Sequence, residues 1–366
     1  MSVKNVISVG CDSHEKTLVN LIAVNREAPE QVTVSNSRRG RQKLIALLLQ
    51  MAERLGGARI VFVYEASSQG FILYDELTAA GIECYVLAPT KIERSHQQKL
   101  NKNDKKDGKR LLDIIRSHVL AGSELPAVWV PDLQTRDDRE TVRTRHDLGE
   151  KQTAIKTQIQ MLLKRWGIEK PSEVGGSRTK SYRRWLKALS QDTRRAIGLR
   201  TALSSLIRQL EFQELELKQI DGSIDDLCQQ PHLKLIVDAL DAETGVGRLA
   251  AVTYATEVGD FGRFRRRQQI AAYWGVTPSS NESGEIKDRK GHITRNGSPR
   301  VRRMLCQSHW VRVKHDAHER EVYQRLVGKN PKRKKIAIVA GMRRLSVRLW
   351  HVGHRAQLQL KGLATK

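Results

Sequence analysis

Five short apolar segments in the first ninety residues limit the folds that this chain can adopt. Strands are predicted over 6–11, 17–25, 31–35, 59–64 and 83–87. Helices are predicted over 41–55, where leucines recur at helical spacing, and over 70–80. Three strands followed by alternating helices and strands are the pattern of an RNase H-like α/β core.

Acidic residues stand at the ends of these predicted strands. Asp12 follows the first strand and Glu65 follows the fourth. In an RNase H-like core these two strands are neighbours, and ligands bind at the carboxyl ends of the strands in α/β sheets. Each acid alone is equally well explained as an ordinary turn or strand-end residue.

Two further acids, Asp104 and Asp107, precede a run that reads as a helix. Residues three apart share one helix face, and two adjacent carboxylates repel unless a cation holds both ionised. The alternative is a solvated, mixed-charge helix start, and Gly108 disfavours a regular helix at this point. Together with Asp12 and Glu65, these residues predict a site for two Mg²⁺ ions, which suits phosphoryl transfer.

The charge balance predicts a polyanionic partner. Lysine and arginine number 65 against 40 acids, a net charge of +25. Nucleic acid is the expected partner, ahead of an acidic membrane surface. No apolar run approaches the ~20 residues of a membrane helix. No signal peptide is visible, and four scattered cysteines suit a reducing cytoplasm, which is the predicted location.

The middle of the chain is predicted to be helical and to form a coiled coil. Apolar residues between Leu199 and Leu227 follow heptad spacing, with Gln213 as a polar break. This helix could pair with the helix around Ile155 or with a second subunit. Before it lies a basic patch over 180–187 with interleaved aromatic residues. The patch fits nucleic acid and, equally, a helix with an inward-facing Trp185.

The last third contains two features that suit phosphate contacts. Gly245 and Gly247 flank a valine in a stretch that resembles a helix-hairpin-helix, a weak signal alone. The segment 275–303 is a polar loop dense in cations and glycine. Its candidate nucleophiles are Ser279, Ser280 and Ser283, because nearby cations can stabilise an attacking alkoxide. From the residues alone, serines that only donate hydrogen bonds in a phosphate-binding loop are favoured.

These motifs, in this order, resemble one known family, the DEDD transposases of bacterial insertion sequences. That class includes pilin-gene-inverting recombinases and bridge-RNA-guided recombinases. The similarity covers well over half of the chain. It is carried by Val-Gly-Cys-Asp12, Tyr-Glu65-Ala, Asp104-Lys-Lys-Asp107, Gly245-Val-Gly247, Ala271-Ala-Tyr-Trp-Gly275 and Ser283-Gly284.

The resemblance implies a RuvC-like catalytic domain, a helical coiled-coil domain and a mainly helical C-terminal domain with a nucleophilic serine. On this sequence the implied domains are 1–125, 126–230 and 231–366. It implies that the four acids bind Mg²⁺, that Ser283 is the nucleophile, and that a homo-oligomer recombines donor and target double-stranded DNA under a guide RNA. Two rivals stay open: a RuvC-type junction nuclease that uses water, and a non-catalytic nucleic-acid-binding scaffold.

Overall fold

The structure is a computed structural model that describes two compact units. It covers residues 5–92, 104–177, 179–280 and 290–362, with the backbone only at 104–107, 280 and 290. The units are Met1–Pro131 and Asp132–Lys366.

The first unit is a five-stranded mixed sheet covered by helices. Its elements are β1 (Val6–Ser13), β2 (Thr17–Val24), β3 (Glu30–Ser35), α1 (Arg38–Arg54), β4 (Arg59–Glu65), α2 (Ile72–Ala79), β5 (Glu83–Leu87), a 3₁₀ turn (Pro89–Lys91) and α3 (Asp104–Ala121). The strand order is β3-β2-β1-β4-β5. The first three strands are antiparallel, whereas β1–β4 and β4–β5 are parallel. The predicted α/β element order is confirmed, and the topology is consistent with a RuvC-like fold.

The two faces of this sheet pack on different helices, because side chains alternate along each strand. On one face Ile7, Val9 and Phe62 contact the leucines of α1 and α2. On the other face Val61 and Val63 contact the apolar side of α3. Residues 10 and 12 of β1 therefore belong to the face that α3 covers.

Helix α3 approaches β1 with almost no side chain between them. A Cβ built on Gly10 would lie 2.5 Å from the amide nitrogen of Leu112 and 2.7 Å from the carbonyl oxygen of Gly108. Gly108 is itself buried, and α3 continues through it without a break. The expectation that Gly108 disfavours a helix start here is wrong. Tertiary packing outweighs the ~1 kcal/mol propensity cost of one glycine.

Helix α3 runs antiparallel to β1. Gly108 lies over Gly10, whereas Arg116, two turns later, donates a hydrogen bond to the carbonyl of Glu27. Glu27 follows the turn at which Asn25 bonds to the carbonyl of Val6, at the start of β1. The first turn of α3 consequently lies toward the carboxyl end of β1.

The second unit is mainly helical, as predicted for this part of the chain. Its elements are α4 (Leu133–Arg165), α5 (Lys180–Gln191), α6 (Ile197–Gln229), α7 (Lys234–Asp241), α8 (Arg248–Val258), a 3₁₀ turn (Phe261–Arg263), α9 (Arg267–Tyr273), β6 (Pro278–Ser280), β7 (Lys290–Ile293), α10 (Pro299–His315), α11 (Ala317–Val327), a 3₁₀ turn (Pro331–Arg333) and α12 (Lys334–Leu360). In the described residues, no helix is both long and apolar enough to cross a membrane.

The two longest helices, α4 and α6, pack on each other within the chain. Ile155, Ile159 and Leu162 share a core with Leu199 and Leu203. Of the two pairings that the sequence left open, the intramolecular one is therefore present. Gln213 is buried in the middle of α6. Coiled-coil packing as such stays a prediction.

The first half of α4 is fastened to the C-terminal core by arginines. Arg143 makes a bidentate pair with the buried carboxylate of Glu257, at 2.9 and 3.0 Å. Arg139 donates to the carbonyls of Thr256 and Glu257, and so satisfies orphan acceptors at the end of α8. Because α4 also packs on α6, it joins the two helical cores of this unit.

The contact between α3 and β1 yields a stability prediction with an internal control. We expect Gly10→Ala to lower the free energy of unfolding of the first unit by about 2 kcal/mol or more, because its Cβ meets rigid backbone. Gly108→Ala should be neutral or stabilising by up to ~1 kcal/mol, since its Cβ makes only ordinary van der Waals contacts, of which the shortest is with Leu21 Cδ1 at 3.5 Å. Urea denaturation measures both. Equal effects would contradict this packing.

Candidate active site

Asp12 and Glu65 occupy neighbouring positions on parallel strands. Cys11 of β1 is paired with Tyr64 of β4, so continuing the register by one residue sets Asp12 beside Glu65. Adjacent strands lie about 4.8 Å apart, and residues in register point to the same face of the sheet. That face is the one on which α3 packs. The predicted convergence of these two strand ends is therefore present in the backbone.

The Asp12 side chain is partly exposed to solvent and lies beside a histidine. Its side chain is 19% exposed, and its Oδ2 lies 3.2 Å from Nε2 of His14. The amide of His14 donates to the carbonyl of Thr17, which closes the turn between β1 and β2. Burial, and then the adjacent Asp12 carboxylate, raise the pKa of the Cys11 thiol. Cys11 therefore stays protonated and is a packing residue.

An amide network that the sequence analysis missed ties the loops after β1 and β4 together. The side-chain oxygen of Gln69 accepts hydrogen bonds from Ser13 Oγ at 3.3 Å and from Asn36 Nδ2 at 2.8 Å. Asn36 also donates to the carbonyl of His14 at 2.8 Å. The loops that follow Asp12 and Glu65 are thus cross-linked. No periodicity or spacing signals this role, because the partners lie far apart in sequence.

Asn36 is held in turn by a partly buried ion pair. Arg41 donates to both oxygens of Asn36 and makes a bidentate pair with Glu76 of α2, at 2.7 and 2.9 Å. The Glu76 hydrogen bond raises the pKa of Arg41. Bidentate pairs fix geometry as well as adding energy. The network therefore runs from helix α2 to the loop beside Asp12.

Asp104 and Asp107 form the first turn of α3, which lies toward the same edge of the sheet as Asp12. Their side chains are outside the described residues. Among the side chains that the structure describes, no group of three or more His, Cys, Asp or Glu forms a metal site. Because the side chains of Asp104 and Asp107 are not among those described, the four-carboxylate metal site stays a prediction. Carboxylate oxygens are the donors that Mg²⁺ prefers.

Two of the candidate serines, Ser279 and Ser280, lie on β6, one strand of the β6–β7 hairpin. Ser280 of β6 pairs with Lys290 of β7, and the residues between them, including Ser283, are outside the described part. Ser279 Oγ donates to the carbonyl of His292 at 3.0 Å. This hydroxyl is thus engaged in holding the hairpin, which favours the other two serines as nucleophiles. The Ser280 side chain is likewise not described.

An arginine clamps the base of this hairpin. Arg302 of α10 donates to the carbonyls of Trp274, Asn296 and Gly297, at 3.3, 2.6 and 3.0 Å. A Cβ on Gly275, which has a φ of +63°, would lie 2.3 Å from the amide nitrogen of Asn296. The backbone before β6, at Gly275, therefore touches the backbone after β7, at Asn296.

The turn between α7 and α8 is also fixed by an arginine. Gly245 has a φ of +80°, a conformation open to glycine. The buried Arg312 donates to the carbonyl of Thr244 at 3.2 Å and lies 3.5 Å from the Glu243 carboxylate. The helix-hairpin-helix interpretation stays a prediction.

Two segments of the chain match transposase families. Residues 9–167 match the transposase family DEDD_Tnp_IS110, and residues 237–324 match the family described as Transposase IS116/IS110/IS902. The first segment contains β1, β4 and α3, and the second contains the serine hairpin.

Curated relatives carry the same name. The chain is 32% identical to a putative transposase, y4qE, of Sinorhizobium fredii over 69% of this chain and 58% of that protein. It is 27% identical to y4rJ, a putative transposase of the same organism, over 79% of this chain and 76% of the relative. It is 26% identical to the transposase for insertion sequence element IS1533 of Leptospira borgpetersenii, over 84% and 86%.

These matches place the chain in the class of transposases of bacterial insertion sequences. The chain belongs to the DEDD transposase family of IS110 type. It spans only 58% of the length of y4qE.

The amide network predicts a local change without global unfolding. Gln69→Met removes the shared acceptor, and we expect amides in 13–17 and 66–70 to exchange about tenfold faster, as for the loss of about one net hydrogen bond. Hydrogen exchange with mass spectrometry measures this. Ser68→Ala, an exposed neighbour, is the control. Unchanged exchange in Gln69→Met would show that the network does not hold these loops.

Proposed function

We propose that this protein is a metal-dependent, RNA-guided DNA recombinase that moves an insertion sequence. The observation that carries the proposal is the register of β1 and β4, which sets Asp12 beside Glu65, together with the packing of α3 over Gly10. Three chain segments that bear acids thereby approach one edge of the sheet. A site for phosphoryl transfer needs such a convergence of carboxylates.

Asp12, Glu65, Asp104 and Asp107 would hold two Mg²⁺ ions in this proposal. The donor set is all carboxylate, and Asp12 is partly open to solvent, which fits a hard cation that retains some water ligands. When bound, the ions supply electrostatic stabilisation of the scissile phosphate. The cross-linked loops around Gln69 would keep Asp12 and Glu65 at a fixed separation.

Ser283 is the proposed nucleophile. Its Oγ would form a bond to phosphorus while the bond from phosphorus to the departing DNA oxygen breaks. The departing oxygen takes up a proton as the serine hydroxyl releases one. The reverse step, with another strand's hydroxyl as the attacking group, would restore a DNA phosphodiester without loss of bond energy. The Ser279 bond and the Arg302 clamp hold the β6–β7 pair and the residues that flank it, and in the sequence Ser283 lies between these two strands.

The proposed partners are donor and target double-stranded DNA and a guide non-coding RNA. A net charge of +25 supports the binding of more than one polyanion. We further propose a homo-oligomer, a dimer or tetramer, in which the acids of one subunit meet the serine of another. Because the substrate is bacterial DNA, the proposed activity is cytoplasmic.

The acid residues yield the first test of this proposal. We expect Asp12→Asn and Glu65→Gln to reduce DNA strand cleavage at least a hundredfold, because an amide removes a metal-binding charge, while DNA binding persists. EDTA should abolish cleavage by the parent protein. A gel-based cleavage assay with Mg²⁺ measures this, and Asp113→Asn, an exposed acid on α3, is the control.

If the Asp12 and Glu65 variants cleave as fast as the parent protein, the acids have no catalytic role. The non-catalytic scaffold interpretation predicts instead that the parent protein does not cleave DNA, and that substitution of these acids leaves its binding of nucleic acid intact.

The covalent step is tested separately. Ser283→Ala should abolish the protein–DNA adduct in a denaturing gel and leave nucleic-acid binding intact, because only the attacking oxygen is lost. Ser279→Ala should retain the adduct, since that hydroxyl holds the hairpin. Cleaved ends without any adduct in the parent protein would instead identify a RuvC-type nuclease that uses water.

A further inference from the structure

A cavity lies at the tip of the helical part of the second unit. It is bounded by the last turns of α4 and the first turns of α5, and its volume is about 490 Å³. Its walls include Leu163, Lys164, Gly167, Tyr182 and Trp185. Pockets for small organic ligands have volumes of about 300–1,000 Å³, so one nucleotide fits this space.

One wall of the cavity is aromatic. The ring centroids of Tyr182 and Trp185 are 5.5 Å apart, with the rings tilted by 48°. Tyr182 is buried in the core formed by α4, α5 and α6, and burial raises its pKa. Trp185 is only partly buried, so part of its ring surface is accessible from the cavity. An accessible indole beside a concave wall suits base stacking, which is tolerant of sequence.

The rim of the cavity is cationic. Residues 160–187 contain eight lysines and arginines against two glutamates. Some of these cations are engaged: Arg183 pairs with Glu214, and Lys187 lies 2.6 Å from Glu211. Lys170, which lines the cavity, donates to the carbonyls of Pro171 and Val174.

Lys164, Lys180 and Arg184 are exposed, and none of them takes part in an ion pair of the described residues. Lys164 lines the cavity itself, as does one acid, Glu169. The balance at the rim favours an anionic ligand with an aromatic part. For this patch the sequence favoured nucleic acid and an inward-facing Trp185 equally. In the structure Arg183 and Lys187 pair with acids of α6, and Trp185 both packs against the helical core and lines the cavity.

We propose that this cavity binds one unpaired nucleotide of a single-stranded nucleic acid. The base enters the cavity and stacks on Trp185, and the flanking phosphates contact Lys164, Lys180 and Arg184. A duplex does not fit this role, because its bases are stacked on each other and must be turned out before a protein can stack on them. The site goes beyond strand exchange and does not depend on the acid quartet or on Ser283.

Binding of labelled oligonucleotides to the full-length protein tests the site. The probes are a 12-nucleotide thymidine DNA, a 12-nucleotide uridine RNA and a 12-base-pair duplex, followed by fluorescence anisotropy. Trp185→Leu should weaken binding of the single strands about tenfold and leave duplex binding unchanged. Trp185→Phe, which keeps a ring, should recover most of the loss. The tighter single strand identifies the type of nucleic acid.

The cations have their own readout. Lys180→Ala and Arg184→Ala should each reduce the dependence of log K on log salt by about 0.7 for single strands. Lys218→Ala, an exposed cation of α6 outside the tip, should leave binding of the single strands unchanged. Thermal unfolding shows that each variant is folded. Unchanged single-strand binding by folded Trp185→Leu, or an equal loss for the duplex, would overturn the proposal. These binding measurements do not require DNA cleavage, so the proposed function can fail without affecting them.

Discussion

The first unit depends on one contact between two backbones. Helix α3 lies on β1 so closely that a Cβ at the crossing point, Gly10, would overlap the helix backbone. Such an approach permits little sliding, because a shift along the strand would drive side chains of β1 into the helix. The contact therefore sets both the height of α3 above the sheet and the position of its first turn.

That constraint explains how residues distant in sequence come to share one edge of the sheet. Asp12 and Glu65 are brought together by parallel strand pairing, in which adjacent strands are about 4.8 Å apart. The turn at Asp104 arrives through the packing of α3 instead. The hydrogen bonds around Gln69 and Asn36 then restrain the loops that leave the two strands. Hydrophobic burial holds the sheet and the helices together, and a few polar contacts fix the loops at the edge of the sheet.

The sequence predicted what depends on local pattern. Strands and helices followed from the spacing of apolar residues, and Asp12 and Glu65 stood out because each ends a strand. The role of Gly10 could not be predicted, because it depends on which helix crosses the strand. Gly108 was misleading for the same reason: its intrinsic propensity disfavours a helix, and the packing of α3 on β1 keeps the helix regular there. Gln69 and Arg302 carry no local signal either.

In the second unit, much of the positive charge is structural. Four arginines donate hydrogen bonds to carbonyls and carboxylates of the same chain: Arg139, Arg143, Arg302 and Arg312. Net charge therefore indicates a polyanionic partner without identifying the residues that contact it. Ion pairing likewise separates Arg183 and Lys187, which pair with acids of α6, from Lys180 and Arg184, which form no ion pair among the described residues. Ion pairs between helices are long-range features that a single sequence does not reveal.

The central claim is that acids from β1, β4 and α3 form one metal site. Counting bound Mn²⁺ by electron paramagnetic resonance tests it most directly, since Mn²⁺ takes the same oxygen ligands as Mg²⁺. We predict about two ions per chain in the parent protein, as in other two-metal sites, and weakened binding in both Asp12→Asn and Asp104→Asn. A parent protein that binds no Mn²⁺, or variants that retain both ions, would contradict the account.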